Sequence, residues 1–352
     1  MKILCVYDGS GPKLHRCLLP CAGMEKTYKV EIKVVNHLPS YSEDDIFNGI
    51  DIVLFNRMIA GVNRERLLMW REKYGFKLVC DLDDHWVLDR DHLLYEGYRQ
   101  HMITTIIEWY IKHSDLILVT HERLHRDVIE INKNCYILPN AIPKFDQFLV
   151  KKIPDDYVRL FWAGGVTHRK DLELLRRPLK LIKRDGVKLI MGGYEDNPEW
   201  KEMAKIFTTD STYNTQVIRS EPPTSYYCVY SLCDISLVPL VQSKFNEHKS
   251  NLKILEAANI EAPVVVSRVH PYVGFPDSIV SYVDSHRPWY SQITKLIKDP
   301  ILRKEQGIEL RNYCDIHYSF NKINQMRYEL LQHETGQRRE VREAPAKAEP
   351  VD

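Results

Sequence analysis

The chain has 352 residues, of which 44% are hydrophobic and 28% are charged, and its formal net charge at pH 7 is +1. This length is sufficient for two domains of ordinary size, and the composition is that of a globular protein rather than a disordered or fibrous one. The small net charge excludes a global field that would attract nucleic acid or anionic membranes. Any anion site must therefore be local.

The N-terminal stretch MKILCVYDG contains an apolar run that stops at Tyr7 and Asp8. The run is too short for the hydrophobic region of a signal peptide or for a membrane-spanning helix, and it predicts a first β-strand. The eight cysteines are scattered, and Cys17 and Cys21 have a helical spacing without a second pair to complete a zinc site. We therefore expect buried, reduced thiols and a cytoplasmic protein without a transmembrane segment.

Short apolar stretches alternate with longer amphipathic stretches in the first half of the sequence. Such alternation is typical of a parallel sheet that is covered by helices on both faces. The helical patterns include RERLLMWREKYG and MITTIIEWYIKHSD, and the strand-like stretches are KILCVY, VEIKVVN, DIVLFNR, FKLVCDLDD, DLILVT and CYILPN.

The same alternation starts again after PNAIPKFDQFLVKKIPDDY, with helices predicted in DLELLRRPLKLIKRDG, in SYYCVYSLC and after DISLVPL. We predict an α/β protein of two doubly wound Rossmann-like domains that face each other across a ligand-binding cleft. The predicted divisions are an N-terminal domain at 1–145, a linker at 146–157, a C-terminal domain at 158–317, a helix at 318–334 that packs back on the first domain, and a disordered tail at 335–352. The second set of strand-like stretches is VRLFWAGG, VKLIMGG, TQVIRS, DISLVPL, APVVVS and SIVSYV.

The stretch WAGGVTHRKDLELL follows a predicted strand and begins a helix. Gly164 and Gly165 allow a ligand to approach the backbone closely, and His168 and Lys170 stand at the helix start. An anion placed here would meet the positive end of a helix together with mobile cations. The alternative is a tight turn with a solvated basic edge.

The stretch KFNEHKSNLKILEAANIEAPVVVS, residues 244–267, has the same character because it follows a predicted strand and begins a helix near Ser250. Backbone donors of the first turn could hold phosphate oxygens, and the lysines would supply positive charge. Glu256, further along the helix, could accept bonds from a ribose diol, although a capping or surface role is the alternative. The residues assigned to phosphate binding are Lys249, Ser250, Asn251, Leu252 and Lys253.

The second half of the sequence resembles the nucleotide-sugar-binding domain of GT-B fold glycosyltransferases of the retaining family 4 type. WAGGVTHRKD is similar to the family's GRL…KG motif, with Lys170 at the position of the phosphate-binding lysine and Gly165 in place of the arginine. KILEAANIEAPVVVS is similar to the end of the family's Glu-x7-Glu pattern. Glu256 matches its second glutamate, and His248 stands in place of the first. The similar segment spans most of residues 158–285, and the departures indicate a divergent branch.

The resemblance implies retaining sugar transfer in which no protein nucleophile takes part. Lys170, together with Lys249 or Lys253, would stabilise charge on the departing diphosphate, and Glu256 would fix the ribose. His121, in the strand-end stretch LVTHERLHRD, is assigned as a further catalytic residue. A UDP-sugar is the expected donor, with no prosthetic group and no divalent metal. The remaining donor-binding residues are assigned as Gly9, Ser10, Gly11, Gly164, Gly165, His168, Gly193 and Tyr194.

The first half resembles the family more loosely. YDGSGPKLHRCLLP follows the first strand and is similar to the family's first loop, with His15 and Arg16 entering a helix beside the acceptor. DLDDHW ends another predicted strand, so we expect Asp83, Asp84 and His85 to point into the cleft and bind acceptor hydroxyls. A metal site at these carboxylates is the alternative, which the resemblance disfavours because GT-B enzymes usually dispense with a metal.

The predicted function is transfer of a sugar from a nucleotide-diphosphate sugar to a hydroxyl of a glycan or lipid-linked saccharide. One alternative is a sugar-nucleotide 2-epimerase, which shares the two-domain architecture. Another is a non-catalytic sugar-nucleotide-binding protein, which the replaced arginine and first glutamate favour. The basic stretch RRPLKLIKRDGVK, residues 176–188, adds DNA with hydroxymethylated bases as a second class of acceptor, although the small net charge favours a solvated helix face.

Overall fold

The structure is a computed structural model that describes residues 1–7, 11–38, 44–150, 155–182, 186–208, 215–222 and 225–336. Within these residues the chain forms two α/β units, each built on a six-stranded sheet. None of the helices in these ranges is long and apolar enough to cross a bilayer.

The first sheet has the strand order β2-β1-β3-β4-β5-β6, and every neighbouring pair is parallel. Strands β3 and β5 are buried along their whole length, as expected where helices cover both faces of a parallel sheet. Edge strand β2 has no fully buried residue. The strands are β1 (Lys2–Val6), β2 (Glu31–Val35), β3 (Ile52–Asn56), β4 (Lys77–Leu82), β5 (Leu116–Val119) and β6 (Cys135–Ile137).

The helices of the first unit begin and end where local signals place them. Helix α4, for example, starts after Asn63, whose side chain accepts a bond from the Arg66 amide, and it ends at Gly75 in the left-handed conformation. A π-helical turn, Leu14–Leu18, joins α1 to α2. The helices are α1 (Gly11–Lys13), α2 (Leu19–Thr27), α3 (Asp44–Phe47), α4 (Arg64–Tyr74), α5 (Tyr95–Gln100), α6 (Ile103–His113) and α7 (Glu122–Val128).

The second sheet has the order β12-β11-β10-β7-β8-β9 and is also parallel throughout. The chain winds to one side from β7 through β9 and then to the other side from β10 through β12, so the direction changes between β7 and β10. Ligands of open α/β sheets bind beyond the strand ends at such a switch point. The strands are β7 (Val158–Ala163), β8 (Val187–Tyr194), β9 (Thr215–Arg219), β10 (Ile235–Val238), β11 (Val264–Ser267) and β12 (Ser281–Val283).

The helices of the second unit include α8, the next α-helix after β7, and α10, the next α-helix after β10. Three residues of 3-10 helix, Val166–His168, lead into the first of these helices. The stretch predicted as a short α-helix around SYYCVYSLC is instead a 3-10 helix, Tyr226–Leu232. The α-helices of this unit are α8 (Arg169–Leu181), α9 (Pro198–Thr208), α10 (Leu252–Asn259), α11 (Trp289–Lys298) and α12 (Pro300–His317), and α13 (Phe320–Glu334) follows them in the chain.

Gly193 allows the ends of β7 and β8 to approach each other closely. Its φ is +93°, and a Cβ built on it would lie 2.6 Å from the carbonyl oxygen of Gly164. A side chain at this position would therefore force the two strand ends apart. Both glycines border the cavity described below.

Helix α13 packs on the first unit although it is last in the sequence of described elements. The Arg327 guanidinium donates to the Oδ2 atom of Asp81 at 3.0 Å, and the rings of Tyr28 and Tyr328 stack at 4.1 Å between centroids. Asn324 donates to the Pro20 carbonyl at 2.9 Å. The helix therefore closes the first unit after the chain has completed the second.

The predicted fold class, two doubly wound α/β domains across a cleft, is confirmed. All predicted strands are present, and the most apolar of them, such as β3, β5 and β11, lie inside the two sheets and are completely buried. The structure changes from the first unit to the second between β6 and β7, with a 3-10 turn at Asp146–Phe148 between them. Residues 337–352 of the predicted tail lie outside the described residues.

Candidate active site

A cavity of about 610 Å³ lies between the strand ends of the two sheets. The first unit contributes residues that follow β1 and β4, and the second contributes residues that follow β7, β8, β9, β10 and β11. The cavity therefore lies at the switch point of the second sheet and is closed on the opposite side by the first unit. This is where a doubly wound fold places its ligand.

Two helix starts open into this cavity. Residues 164–168 precede α8, and residues 249–253 span the start of α10. At least four residues of each segment line the cavity. The first amide groups of a helix have no partner within the helix, and the aligned peptide dipoles make that end positive. The two starts together form a place for an anion with more than one charged group.

Lys253 is a fixed cation in the cavity wall. Its half-buried ammonium group donates to the carbonyl oxygen of Ala163, and it lies 5.7 Å from the centre of the Trp162 ring. Burial lowers the pKa of Lys253, while the nearby Glu256 carboxylate acts in the opposite direction. The carbonyl and the ring hold the charge in place before any ligand arrives.

Lys249 supplies a second cation and reaches toward the opposite unit. Its Nζ atom lies 3.9 Å from the Oδ2 atom of Asp84 and 4.9 Å from the centre of the Phe245 ring. The side chain is 14% exposed, so most of its length is covered while it borders the cavity. A ligand between the units would contact the Lys249 ammonium group next to the first turn of α10.

His168 is held by a carboxylate at the start of α8. Its Nδ1 donates to the Oδ2 atom of Asp171 at 2.7 Å, which leaves Nε2 available to a ligand. The other oxygen of Asp171 accepts from the Val241 amide at 2.8 Å and from the Asn246 side chain at 3.1 Å. Burial and the charge of Lys249 lower the pKa of His168 to about 4, so the imidazole is neutral at pH 7.

Glu256 is a buried carboxylate that also borders the cavity. The Tyr230 hydroxyl donates to its Oε2 atom at 2.5 Å, and the Nε2 of His15 lies 3.8 Å from its Oε1 atom. Burial raises the pKa of Glu256, although Lys253 and Tyr230 act in the opposite direction. One oxygen is thus fixed by a tyrosine, and the other faces a histidine of the opposite unit.

The first unit presents one imidazole and two carboxylates to the cavity. His15 contacts the Tyr227 hydroxyl at 3.2 Å through Nδ1, and burial lowers the pKa of His15 to about 4. Asp83 accepts from the Asn56 side chain at 3.1 Å, and burial together with neighbouring Asp84 raises the pKa of Asp83. These groups can accept or donate hydrogen bonds to a second substrate that enters from this side.

The structure brings most of the predicted site residues to this one cavity. Gly9 and Ser10 lie outside the described residues. The predicted residues that line the cavity are Gly11, His15, Asp83, Asp84, Gly164, Gly165, His168, Gly193, Lys249, Ser250, Leu252, Lys253 and Glu256. Those that do not line it are Arg16, His85, His121, Lys170, Tyr194 and Asn251.

Lys170 lies at the second position of α8, and its ammonium pairs with the Asp91 carboxylate of the first unit. Its side chain is 52% exposed and does not reach the cavity. The expected contact between Lys170 and the donor diphosphate is therefore not supported by this geometry. Lys253, at the second position of α10, instead occupies the position at the cavity wall that was expected for Lys170.

Arg16 was expected to bind the acceptor, but it is 1% exposed and bonded to the interior of the first unit. It donates to the Oδ1 atom of Asp81 at 2.6 Å and to the Leu138 carbonyl at 2.9 Å. Together with Arg327 it neutralises a carboxylate that has no exposed surface. These contacts give Arg16 a structural role.

His121 and His85 were expected at the site, but they lie in the contact between the units beside the cavity. His121 precedes α7 and its Nδ1 accepts from the Leu124 amide at 3.4 Å, while Nε2 lies 3.1 Å from the carbonyl oxygen of His248. His85 contacts Asp127 at 3.1 Å. Neither ring borders the cavity, so neither can contact a ligand there without a rearrangement.

Several cavity residues were missed from the sequence. Glu195 directly follows β8, and Ser220 and Glu221 directly follow β9, so the strand-end rule that located Asp83 would have located them also. Tyr226, in a stretch predicted as an ordinary helix, and Tyr272, beyond β11, carry no such signal. The other missed residues of the cavity wall are Pro12, Leu14, Val166, Thr167 and Trp200.

Residues 157–299 match the family model described as "Glycosyl transferases group 1". This match covers the second sheet and both helix starts. Residues 157–299 are a glycosyltransferase domain. The predicted enzyme class is thereby confirmed. Membership of family 4 and a retaining reaction stay predictions.

Solved structures that resemble the chain place the glycosyltransferase domain in a GT-B fold. Sucrose-phosphate synthase from Thermosynechococcus elongatus has a TM-score of 0.69 at 14% identity, with 96% of this chain and 99% of that chain covered. HepE from Anabaena in complex with UDP-glucose has a TM-score of 0.66 at 15% identity, with 95% and 100% covered. An alpha-glucosyltransferase in complex with UDP and a 13-mer DNA containing an HMU base has a TM-score of 0.65 at 12% identity, with 94% and 99% covered. No curated protein sequence matches the chain significantly.

Proposed function

We propose that the protein transfers a sugar from a UDP-sugar to a hydroxyl acceptor with retention of the anomeric configuration. The observation that carries this proposal is the convergence of two helix starts, Lys249 and half-buried Lys253 on one cavity at the switch point of the glycosyltransferase domain. The complex of HepE with UDP-glucose supports the choice of donor class, since that protein shares the fold over nearly the whole chain.

The donor would lie along the carboxyl ends of the strands of the second sheet. Its diphosphate would contact the amide groups before α8 and α10 and the ammonium of Lys253, and Glu256 would accept from the ribose hydroxyls. The nucleobase would extend toward Gly193 and Glu195, where β8 and β9 end. With the nucleobase and the diphosphate in these positions, the sugar would lie next to the residues of the first unit.

Cleavage of the bond between the sugar C1 and the diphosphate oxygen leaves negative charge on the diphosphate. Lys253 and the helix-start amides are already oriented toward that charge, so they stabilise it without reorganisation. The acceptor oxygen bonds to C1 on the face that the diphosphate leaves, and its proton passes to a diphosphate oxygen. The cavity wall therefore has to bind and orient, and no protein side chain forms a covalent bond with the sugar.

The acceptor would enter against the first unit, where His15, Asp83 and Asp84 border the cavity. Neutral His15 and the carboxylates offer acceptors for hydroxyl protons, which suits a saccharide. The basic helix face that suggested DNA is partly neutralised within its own unit: Arg176 pairs with Glu173 at 2.6 Å, and Lys188 pairs with Asp155 at 2.8 Å. We therefore propose a glycan or a lipid-linked saccharide as acceptor.

The proposal is tested by incubating the purified chain with UDP-glucose and UDP-N-acetylglucosamine, alone and with panels of saccharide, lipid-linked and hydroxymethylated-DNA acceptors. We expect UDP release that depends on an acceptor and a product whose anomeric proton coupling matches that of the donor. Interconversion of the sugar nucleotide without acceptor would identify an epimerase. Tight donor binding without transfer to any acceptor would identify a binding protein, and an inverted product would remove the retaining mechanism.

A further inference from the structure

A second cluster of polar side chains joins the two units beside the active-site cavity. His85 and Asp127 belong to the first unit, and His248 belongs to the second. His85 follows the cavity residue Asp84, and His248 precedes the cavity residue Lys249. The transfer reaction proposed above uses none of the three side chains in this cluster.

The three side chains converge on one carboxylate oxygen. The Oδ2 atom of Asp127 lies 3.1 Å from the Nε2 of His85 and 3.0 Å from the Nε2 of His248. The three ligand atoms all lie within 4.8 Å of one another. Both imidazole rings are buried, at 4% and 6% exposure, and their centroids are 4.6 Å apart.

The hydrogen bonds of His248 turn its Nε2 toward the Asp127 carboxylate. Its Nδ1 lies 2.8 Å from the carbonyl oxygen of Lys244, so Nδ1 carries a proton and donates to that oxygen. In the neutral ring Nε2 is then a lone pair, and this lone pair faces the Asp127 oxygen at 3.0 Å. Two acceptors at this distance repel unless a proton on Nε2 or a metal ion lies between them.

We propose that His85, Asp127 and His248 bind one divalent transition-metal ion of the zinc class, which joins the two units. Two imidazole nitrogens and one carboxylate oxygen are the ligands such ions select. Metal–ligand bonds of about 2.0–2.1 Å separate neighbouring ligand atoms by about 3.3 Å in tetrahedral geometry. The distances of 3.0 and 3.1 Å between the carboxylate oxygen and the two nitrogens need only small shifts to meet that requirement.

The groups behind the two imidazole ligands differ: those of His248 fit an ion directly, and those of His85 require a change of tautomer. The bond from His248 Nδ1 to the Lys244 carbonyl fixes the ring with Nε2 toward the ion. For His85, the Val87 amide donates to Nδ1 at 2.9 Å, so in this arrangement Nε2 carries the proton and donates to the Asp127 carboxylate at 3.1 Å. Binding of an ion through Nε2 would move the proton to Nδ1, which would give up the bond from the Val87 amide and donate to the Val87 carbonyl oxygen 3.3 Å away.

The exposure of the cluster allows an ion to enter. The Asp127 side chain is 35% exposed, whereas the imidazoles are covered. One coordination position therefore faces solvent and can hold water. Since the ligands come from both units, a bound ion would hold the cleft in the closed arrangement in which Lys249 lies 3.9 Å from Asp84.

The proposal is tested with the full chain after removal of bound metal by a chelator. Zn²⁺ is titrated by calorimetry, and Co²⁺ is added as a spectroscopic probe whose visible absorption reports its coordination. We expect about one saturable equivalent in the unaltered chain, with a tetrahedral Co²⁺ spectrum. His248→Ala and Asp127→Asn should each lower the affinity by more than about 100-fold.

His286→Ala is the matched control because His286 is an exposed histidine that is not part of the cluster. Thermal unfolding of the metal-free variants shows whether each one is folded, and Zn²⁺ should raise the unfolding temperature of the unaltered chain and of His286→Ala only. Equal binding by His248→Ala, Asp127→Asn and the unaltered chain would overturn the proposal. Absence of saturable binding in the unaltered chain would overturn it as well.

Discussion

The Nδ1 of His168 lies 2.7 Å from the Oδ2 atom of Asp171, and this pair stands where the chain turns from β7 into α8 at the wall of the cavity. The pair holds an imidazole whose pKa is lowered to about 4 by burial and by Lys249, in a place assigned here to a diphosphate. Asp171 also bonds to the loop beyond β10, so it links the two helix starts.

Donor binding should be coupled to proton uptake at His168. The free ring is neutral at pH 7, and a diphosphate beside it would raise its pKa because negative charge favours the imidazolium. The affinity for UDP-glucose should therefore rise as pH falls from about 8 to about 6, by at most about tenfold for each pH unit. Calorimetry in buffers of different ionisation enthalpy measures the uptake. In His168→Gln the affinity should be nearly independent of pH, and an unchanged slope would contradict the assignment.

Lys253→Met and Lys170→Met should differ sharply although both lysines occupy the second position of a helix. Lys253 borders the cavity, so its loss should lower kcat with a UDP-sugar by about 10²–10³-fold. Lys170 pairs with Asp91 at the surface, and its loss should change kcat by less than about threefold. Steady-state rates of UDP release compare the two variants directly. Equal losses in both would mean that Lys170 reaches the donor after all.

Glu256→Gln should stabilise the protein and impair transfer. Burial raises the pKa of Glu256, so its folded-state carboxyl contributes stability at low pH that is lost as pH rises through the folded-state pKa. Glutamine keeps an oxygen that accepts from Tyr230, but it cannot ionise and so does not lose stability as the pH rises. We therefore expect the free energy of unfolding at pH 7 to rise by about 0.5–2 kcal/mol. Urea denaturation at pH 7 and at about pH 5 measures the difference, which should shrink at the lower pH. A variant less stable than the unaltered chain at pH 7 would contradict this reasoning.

Arg16→Met should unfold the protein far more easily without acting on the acceptor. The change leaves buried Asp81 with one of its two guanidinium partners and removes the bond to Leu138, at a cost of about 3–5 kcal/mol. Asp84→Asn is the matched variant, since Asp84 borders the cavity. That change should lower the rate of transfer while the unfolding temperature stays within about 2 °C. Denaturant unfolding and initial rates on both variants separate the structural role from the functional one.

The sheets could be predicted from the sequence because a parallel strand buried on both faces is an uninterrupted apolar run. VVVS of β11 and LILV of β5 are such runs, and both are completely buried. The two helix starts followed from the same logic, since a polar stretch between a buried strand and an amphipathic helix must lie at the strand ends. The location of the site could therefore be predicted from patterns along the chain.

The direction of individual side chains could not be predicted in this way. Lys170 and Lys253 both occupy the second position of a helix that follows a 3-10 segment, yet Lys170 pairs with Asp91 whereas Lys253 borders the cavity. Arg16 lies in the π-helical turn Leu14–Leu18, which aims it at Asp81 rather than at the cleft. Such outcomes depend on contacts between segments far apart in the chain.

The return of α13 to the first unit has a practical meaning for protein engineering. Arg327 shares the carboxylate of Asp81 with Arg16, so residues from both ends of the described chain neutralise a single buried charge. Chimaeras that exchange the donor-recognising half between relatives would need two crossover points, one between β6 and β7 and one between α12 and α13. A chimaera with a single crossover would take α13 from the other relative, and Asp81 would then face a helix that did not evolve with it. Such a chimaera should at least keep an arginine at the position of Arg327.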